Sequence, residues 1–257
     1  MEIGEQQWIV LERSLPPSKG TRGRRGRPPT DPRRLFNGIL WILRTGAPWR
    51  DLPDCYPPYQ TVHRWFQKWA ESGVFTKLLH RLAIDLSDRG KIDLREAFID
   101  GSFASAKEGG DLVGKTKRGK GTKIMAISEK SGLPLAIDVA SASPHETKLV
   151  FKTLEKLFVS DLPHRLIGDK AYDSDGLDRR LKDECGIELI APHRRNRRRR
   201  KTQDGRCLRR YRKRWRVERL FAWLQSYRRL VVRYEYYANN FLDFLNLACL
   251  LILLRHY

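Results

Sequence analysis

The sequence predicts an α/β fold, a mixed sheet with flanking helices, preceded by a small helical region. Two observations carry this reading. Apolar residues recur at helical spacing in three segments between Asp31 and Ser87. After Gly90 the pattern changes to short strand-like runs, three in succession, and then to an alternation of helix and strand. At 257 residues the chain can bury a sizeable core, in one domain or two. We divide it into residues 1–30, an N-terminal segment with a basic arm; 31–90, a helical DNA-binding domain; and 91–257, a catalytic domain with a basic insertion at about 194–210.

The elements follow in order. Trp8, Ile9, Val10, Leu11 and Leu15 suggest one docking helix. Gly, Pro and Arg dominate residues 16–29, which are expected to order only on binding. Asp31-Pro32 opens a helix, with a capping residue and then proline at the first helical position, and Gly46 ends it. Pro48, Pro53, Pro57 and Pro58 make the next segment a loop. A second helix runs from about Tyr59 to Ser72 with Val62, Trp65, Phe66 and Trp69 inward, and a third from about Phe75 to Ser87. Strands are expected over Ile92–Phe103, Thr122–Ser128 and Leu133–Ala140, then a helix from His145 to Phe158. A strand at Leu166–Gly168, a helix at Ser174–Glu184, a strand at Ile187–Ala191 and a helix from Cys207 to Leu230 complete the catalytic region. The apolar run Leu245–Leu254 is too short to cross a bilayer and reads as a buried C-terminal helix.

Charge points to the partner. Lys and Arg number 51 against 30 Asp and Glu, a formal net charge of +21. The excess is clustered, which suits a polyanion, because each neutralised phosphate releases a condensed counterion. Cys55, Cys185, Cys207 and Cys249 lie far apart without zinc-ligand spacing, and the six histidines are scattered. With no secretory leader, we expect a reducing, intracellular compartment.

Three carboxylates stand out. Asp100 ends the run Ala97-Phe98-Ile99-Asp100 and Asp169 ends Arg165-Leu166-Ile167-Gly168-Asp169, each an acid at a strand tip. Glu218 lies in a helical stretch. Hard divalent cations prefer carboxylate oxygens, and a pair of ions can clamp the attacking and leaving oxygens of a phosphodiester. Tyr211, Glu218 and Gln225 recur every seventh residue, nearly in line on one helix, with Arg214 one turn before Glu218. That face reads either as a phosphate-contacting metal site or as an exposed salt-bridged surface.

At these residues the chain resembles bacterial insertion-sequence transposases of the DDE type, of the IS5 group within the IS4-like set. The resemblance rests on Phe98-Ile99-Asp100-Gly101-Ser102, on residues 167–174 and on residues 216–224. Residues 37–53 are also similar to the N-terminal DNA-binding region of that family. The Tyr-Arg-Glu-Lys signature of the family falls on Tyr211, Arg214, Glu218 and position 225, where this chain has Gln225. The resemblance implies a ribonuclease-H-like catalytic fold with Asp100, Asp169 and Glu218 as catalytic and metal-binding acids. It implies Mg2+ as cofactor, with two ions and Mn2+ able to stand in. It further implies cleavage of element ends and strand transfer of the 3′ ends to target DNA. Expected partners are double-stranded DNA and further copies of the chain in a dimer or larger synaptic assembly, with no membrane, in a bacterial, nucleoid-associated setting. The rivals are a non-catalytic DNA-binding descendant and a stand-alone nuclease of the same fold.

Other residues admit two readings each. Asp173 and Asp175 cap the following helix or feed the metal. Asp138 faces solvent or partners a lysine. Glu146 suits the positive end of a helix or lies near substrate. Arg25-Gly26-Arg27-Pro28 enters a minor groove or is a solvated linker. The helix from Tyr59 carries Gln60, Thr61, His63, Arg64, Gln67 and Lys68 on its polar face, as a recognition helix or as simple packing. The run Arg194–Lys201, with Arg197, Arg198, Arg199 and Arg200, grips phosphates or is a solvated loop. Trp215 and Trp223 stack on a base or pack in the core.

Overall fold

The computed structural model describes residues 2–13, 15–16, 30–195, 197 and 205–257, without the side chain of Arg206. Arg25, Arg27, Arg198, Arg199 and Arg200 lie outside the described residues. Helix α1 (Glu5–Glu12) docks through Trp8 and Leu11, as expected. Helix α2 (Pro32–Thr45) begins where Asp31 accepts a hydrogen bond from the Arg33 amide (2.9 Å). It ends at Gly46, whose φ of +69° suits a residue without Cβ. A Cβ there would also meet the Arg228 backbone at 3.1 Å, so this glycine serves both the cap and the packing of the C-terminal region.

Helices α3 (Tyr59–Glu71) and α4 (Val74–Asp88) follow, divided by Gly73. Their apolar faces are not a core of their own. Phe66 stacks on Phe244 at 4.4 Å and 18°, and Phe244 belongs to the C-terminal helix α10 (Ala238–Leu253). Helix α10 also lies along α4, so helical region and sheet close over one continuous cluster of buried residues. Among the described residues no helix is long and apolar enough to cross a membrane.

The sheet has seven strands among the described residues. Strand β1 (Ala97–Ala106) pairs antiparallel with β3 (Gly119–Glu129), which pairs antiparallel with β2 (Gly114–Thr116) and β4 (Pro134–Ser141). On its other side β1 pairs parallel with β5 (Arg165–Ile167) and with the short β7 (Val232–Arg233), and β5 pairs parallel with β6 (Glu188–Ile190). This is the mixed sheet that the succession of strands predicts, with helices α5 (Val150–Leu154), α6 (Asp175–Cys185) and α10 among those flanking it.

Four details differ from the sequence reading. Residues 92–96 do not extend β1, because Asp93 captures the Arg95 amide (2.9 Å) and forms a turn that competes with the ladder. Strand β2 is additional to the expected strands; it is a three-residue edge hairpin closed at Gly119, φ +100°. The expected helix 145–158 shrinks to a turn at Glu146–Lys148 and α5, because Leu157 bridges Ala136 and the Phe158 amide donates to the Leu135 carbonyl (2.8 Å). The expected helix 207–230 divides into α7 (Gly205–Tyr211), α8 (Trp215–Gln225) and α9 (Arg228–Val231).

The break before α8 has a local cause. Amides of residues 212, 213, 214, 216 and 217 each donate three residues back. A three-residue turn advances about 20° more per residue than an α-helix, so Tyr211 rotates out of line with Glu218. Arg210 (2.8 Å) and Lys213 (3.6 Å) both hold Glu96, just before β1, and fix the break against the sheet.

Asp243 sits buried in α10, and burial pushes its pKa up to about 7, with Asn246 the polar neighbour that offsets this. A carboxyl whose pKa is raised by folding stabilises the fold while protonated. Stability should therefore fall as pH rises from about 4 to about 7. Asp243→Asn is expected to gain about 2–4 kcal/mol over the native chain at pH 8 and little near pH 4. Denaturant melts at the two pH values check this, and equal gains at both would refute it.

Candidate functional site

The parallel pairing of β1 with β5 positions the two aspartates. Ala97 lies opposite Leu166 and Phe98 opposite Ile167. Continuing that register by two residues sets Asp100 beside Asp169, where β5 ends and β1 runs on. Asp169 accepts a hydrogen bond from the Ala171 amide (2.7 Å) and caps the turn Lys170–Tyr172. Asp100 accepts from the Gly101 amide through Oδ1 (2.9 Å) and from Arg214 through Oδ2 (2.9 Å). Burial pushes the Asp100 carboxyl up to about 6; the Arg214 guanidinium pulls it down, and the negative charges of Glu146 and Asp169 raise it further.

Glu218 reaches this pair through Arg214. The guanidinium donates through Nη1 to Asp100 and through Nη2 to Glu218 Oε1 (2.5 Å), spanning the two acids. The Glu218 side chain is 54% exposed, against 17% for Asp100. The i,i+4 pair read from the sequence is therefore present, and its arginine also ties α8 to β1. Among the described residues no three His, Cys, Asp or Glu side chains are arranged around one point as metal ligands.

Sequence reasoning did not single out Tyr172 or Lys123. Tyr172 is fully buried, its ring packed over Gly168 where a Cβ would fall 2.6 Å from the ring. Its hydroxyl has no partner at full hydrogen-bonding geometry. Burial and then the charges of Glu146, Asp100 and Asp169 push its pKa well above the usual value. Lys123 of β3 lies 3.7 Å from Glu146. The signal that marks both positions is a glycine beside each aspartate, Gly101 and Gly168, which clears room for these neighbours.

Several expected roles change. Asp173 and Asp175 do not cap α6; Ser174 does, accepting from the Leu177 amide. Asp173 instead holds His193 and Arg197 (each 2.9 Å) and accepts from the Arg194 amide, while Asp175 pairs with Arg197 (2.5 Å). Arg197 is thus folded inward, 10% exposed, and its guanidinium is engaged by acids rather than presented to phosphate. Asp138 is buried, not solvent-facing, and partners Lys152 (3.1 Å), the lysine alternative.

The remaining candidates sit on separate surfaces. Arg64 and Lys68 are exposed on α3, Lys68 lying over the Trp65 ring, while Gln67 contacts His63 and Asn240. Tyr211 is half-buried against the core and Gln225 is exposed at the end of α8. Trp223 packs against the core; Trp215 is 50% exposed, and Arg219 stacks near both rings.

Comparison with known proteins follows this geometry. Residues 3–79 match the family described as "Putative transposase of IS4/5 family", and residues 92–253 match the transposase DDE domain family. The "Insertion element IS402 uncharacterized 16.2 kDa protein" of Burkholderia cepacia is 34% identical over 117 residues, 44% of this chain and 80% of that protein. The "Putative transposase for insertion sequence element IS402" of the same organism is 31% identical over 140 residues, 51% of this chain and 62% of that protein. A solved pre-cleavage Mos1 transpososome overlaps 81% of this chain and 80% of that one, at 9% identity and a TM-score of 0.27, too loose to transfer any feature. With well over half of its length matched by the two families, the chain belongs to the DDE transposases and is related to those of IS4/5-type insertion sequences.

Proposed function

We propose that the chain cuts DNA at the ends of an insertion sequence and joins the freed 3′ ends to target DNA, with Asp100, Asp169 and Glu218 as its metal-binding acids. The register that sets Asp100 beside Asp169 carries this reading. Arg214 supports it by holding Glu218 to the same place. The residues fit a hard divalent cation: the donors are carboxylates, and the buried Tyr172 hydroxyl faces them without a partner. When bound, Mg2+, or Mn2+ in its stead, would supply charge neutralisation and Lewis-acid activation at the phosphodiester. Arg214 orients the two outer acids and can donate to a phosphate oxygen when displaced. Hydrolysis at the element's end frees a 3′ hydroxyl, which attacks target DNA in a transesterification. No covalent enzyme intermediate is required.

In this reading the helical region 31–90 recognises the ends, with the exposed Gln60, His63, Arg64 and Lys68 of α3 toward DNA. Two copies of the chain would bring two ends together. The test is a labelled element end incubated with the full chain and a target plasmid. Mg2+-dependent joining, abolished by EDTA, supports the proposal. Cut ends that never join would indicate a nuclease. The exposure of Glu218 and the lack of a three-acid cluster among the described residues favour, as second reading, a DNA-binding descendant without catalysis, which would neither cut nor join.

The arginine run yields a separate expectation. Because Arg197 is held by Asp173 and Asp175, Arg197→Ala should leave the log–log salt slope of DNA binding nearly unchanged. Replacing Arg198, Arg199 and Arg200 by alanine together should flatten it by about 0.9 for each phosphate no longer neutralised. Base preference should stay constant, because phosphate contacts position the protein without reading sequence. Titrations at several salt concentrations decide between them.

A further inference from the structure

We propose that Glu146 is a fourth acid of the site, sharing a divalent cation with Asp100 and Asp169. This rests on the reading of those two aspartates as metal ligands and adds a residue outside the expected triad. The acid enters from an unexpected element. It opens the turn Glu146–Lys148 between β4 and α5, and that turn lies against the turn Lys170–Tyr172 that follows Asp169.

The approach to Asp100 is close and built in. A Cβ on Gly101 would fall 2.9 Å from both Cδ and Oε1 of Glu146. The residue after Asp100 therefore has to be glycine for the Glu146 carboxylate to lie where it does. Glu146 is mostly enclosed, at 22% exposure, whereas Glu218 is 54% exposed. The charge of Glu146 reaches Asp100 and Tyr172 alike.

A second, independent observation points to a ligand. The Tyr172 hydroxyl is fully buried, unpartnered, and directed toward Glu146, Asp100 and Asp169. An unpaired buried hydroxyl is costly, and it becomes useful where a hydrated ion offers a water to bond. The outer acids are meanwhile held by cationic side chains, Glu146 by Lys123 (3.7 Å) and Asp100 by Arg214 (2.9 Å). Those contacts supply the positive charge that a divalent ion would bring, and they explain why the acids stand apart instead of converging.

The experiment is a Mn2+ titration of the full chain, read by the loss of the free-ion paramagnetic resonance signal. Glu146→Gln should weaken binding by about tenfold or more, or remove one ion from the stoichiometry, while its melting temperature in EDTA stays at the native value. Native-like Mn2+ binding by Glu146→Gln, alongside weakened binding by Asp100→Asn and Asp169→Asn, would overturn this inference and leave the proposed function standing. Native-like binding by all three variants would overturn both. A measurement on the unmodified chain guards against a misfolded variant: bound Fe2+ with ascorbate and peroxide cuts the backbone beside the ion. Cuts near residue 146 as well as near 100 and 169 support the assignment, and cuts confined to the two aspartates overturn it.

Discussion

Asp100→Asn is expected to abolish cleavage of an element end while the chain still binds that DNA. Asparagine keeps the size of the side chain and its capacity to accept from Gly101, but removes the charge that pairs with Arg214. The lost negative charge lies where the proposed cation would bind, so the effect falls on chemistry rather than on docking. A drop of at least about 10³-fold is expected, the scale seen when one electrostatic contact to a transition state is removed. Asp169→Asn should match it. Both variants should shift end DNA in gels as the native chain does. Substantial cleavage by Asp100→Asn would remove the carboxylate site from the mechanism. Loss of DNA binding would mean that the aspartate matters to the fold, as the partner of Arg214, more than to the reaction.

Phe66→Ala should destabilise the helical region and the sheet together. The ring stacks on Phe244 and also meets Phe75 and Trp49, both at 5.6 Å. Truncating a fully packed phenylalanine leaves a cavity and costs about 3–5 kcal/mol. For a chain of this size that should lower the melting temperature by roughly 10 °C. Because Phe244 lies on α10, and α10 packs on both α4 and β4, the loss should appear as one earlier transition. Calorimetry of the full chain distinguishes the cases. A first transition that moves while a second stays would show that residues 31–90 form an independent unit.

The two predictions meet at the same structural fact: the helical region has no private core. Arg229 pairs with the buried Glu235 (2.7 Å) and also donates to the Ala47 carbonyl (3.2 Å), the residue just after the α2 cap. Arg233, fully buried, binds Thr122 of β3 (2.6 Å) and the carbonyls of Glu235 and Tyr236. These buried arginines bind α2, β3 and the C-terminal segment into one body. Any movement of α3 on DNA would therefore be felt at the sheet.

Local chemistry alone determined much of this protein. The start and stop of α2 follow from Asp31, Pro32 and Gly46, since caps and left-handed glycines act within one turn. The strand-tip aspartates and the pairing of Arg214 with Glu218 were legible for the same reason, as each is set by spacing along one element. Tertiary structure decided what spans elements. Helix 207–230 broke because Glu96, distant in sequence, holds Arg210 and Lys213 at the bend. Arg197 turned inward because Asp173 and Asp175 lie across a turn from it, whereas a run of arginines read alone suggests solvent or phosphate. Glu146 came to the aspartates only through the packing of two short turns, and the glycine that admits it carries no side chain for a sequence pattern to detect. Periodicity and capping are local and can be read from the chain. Charge partners at long range are chosen by the fold.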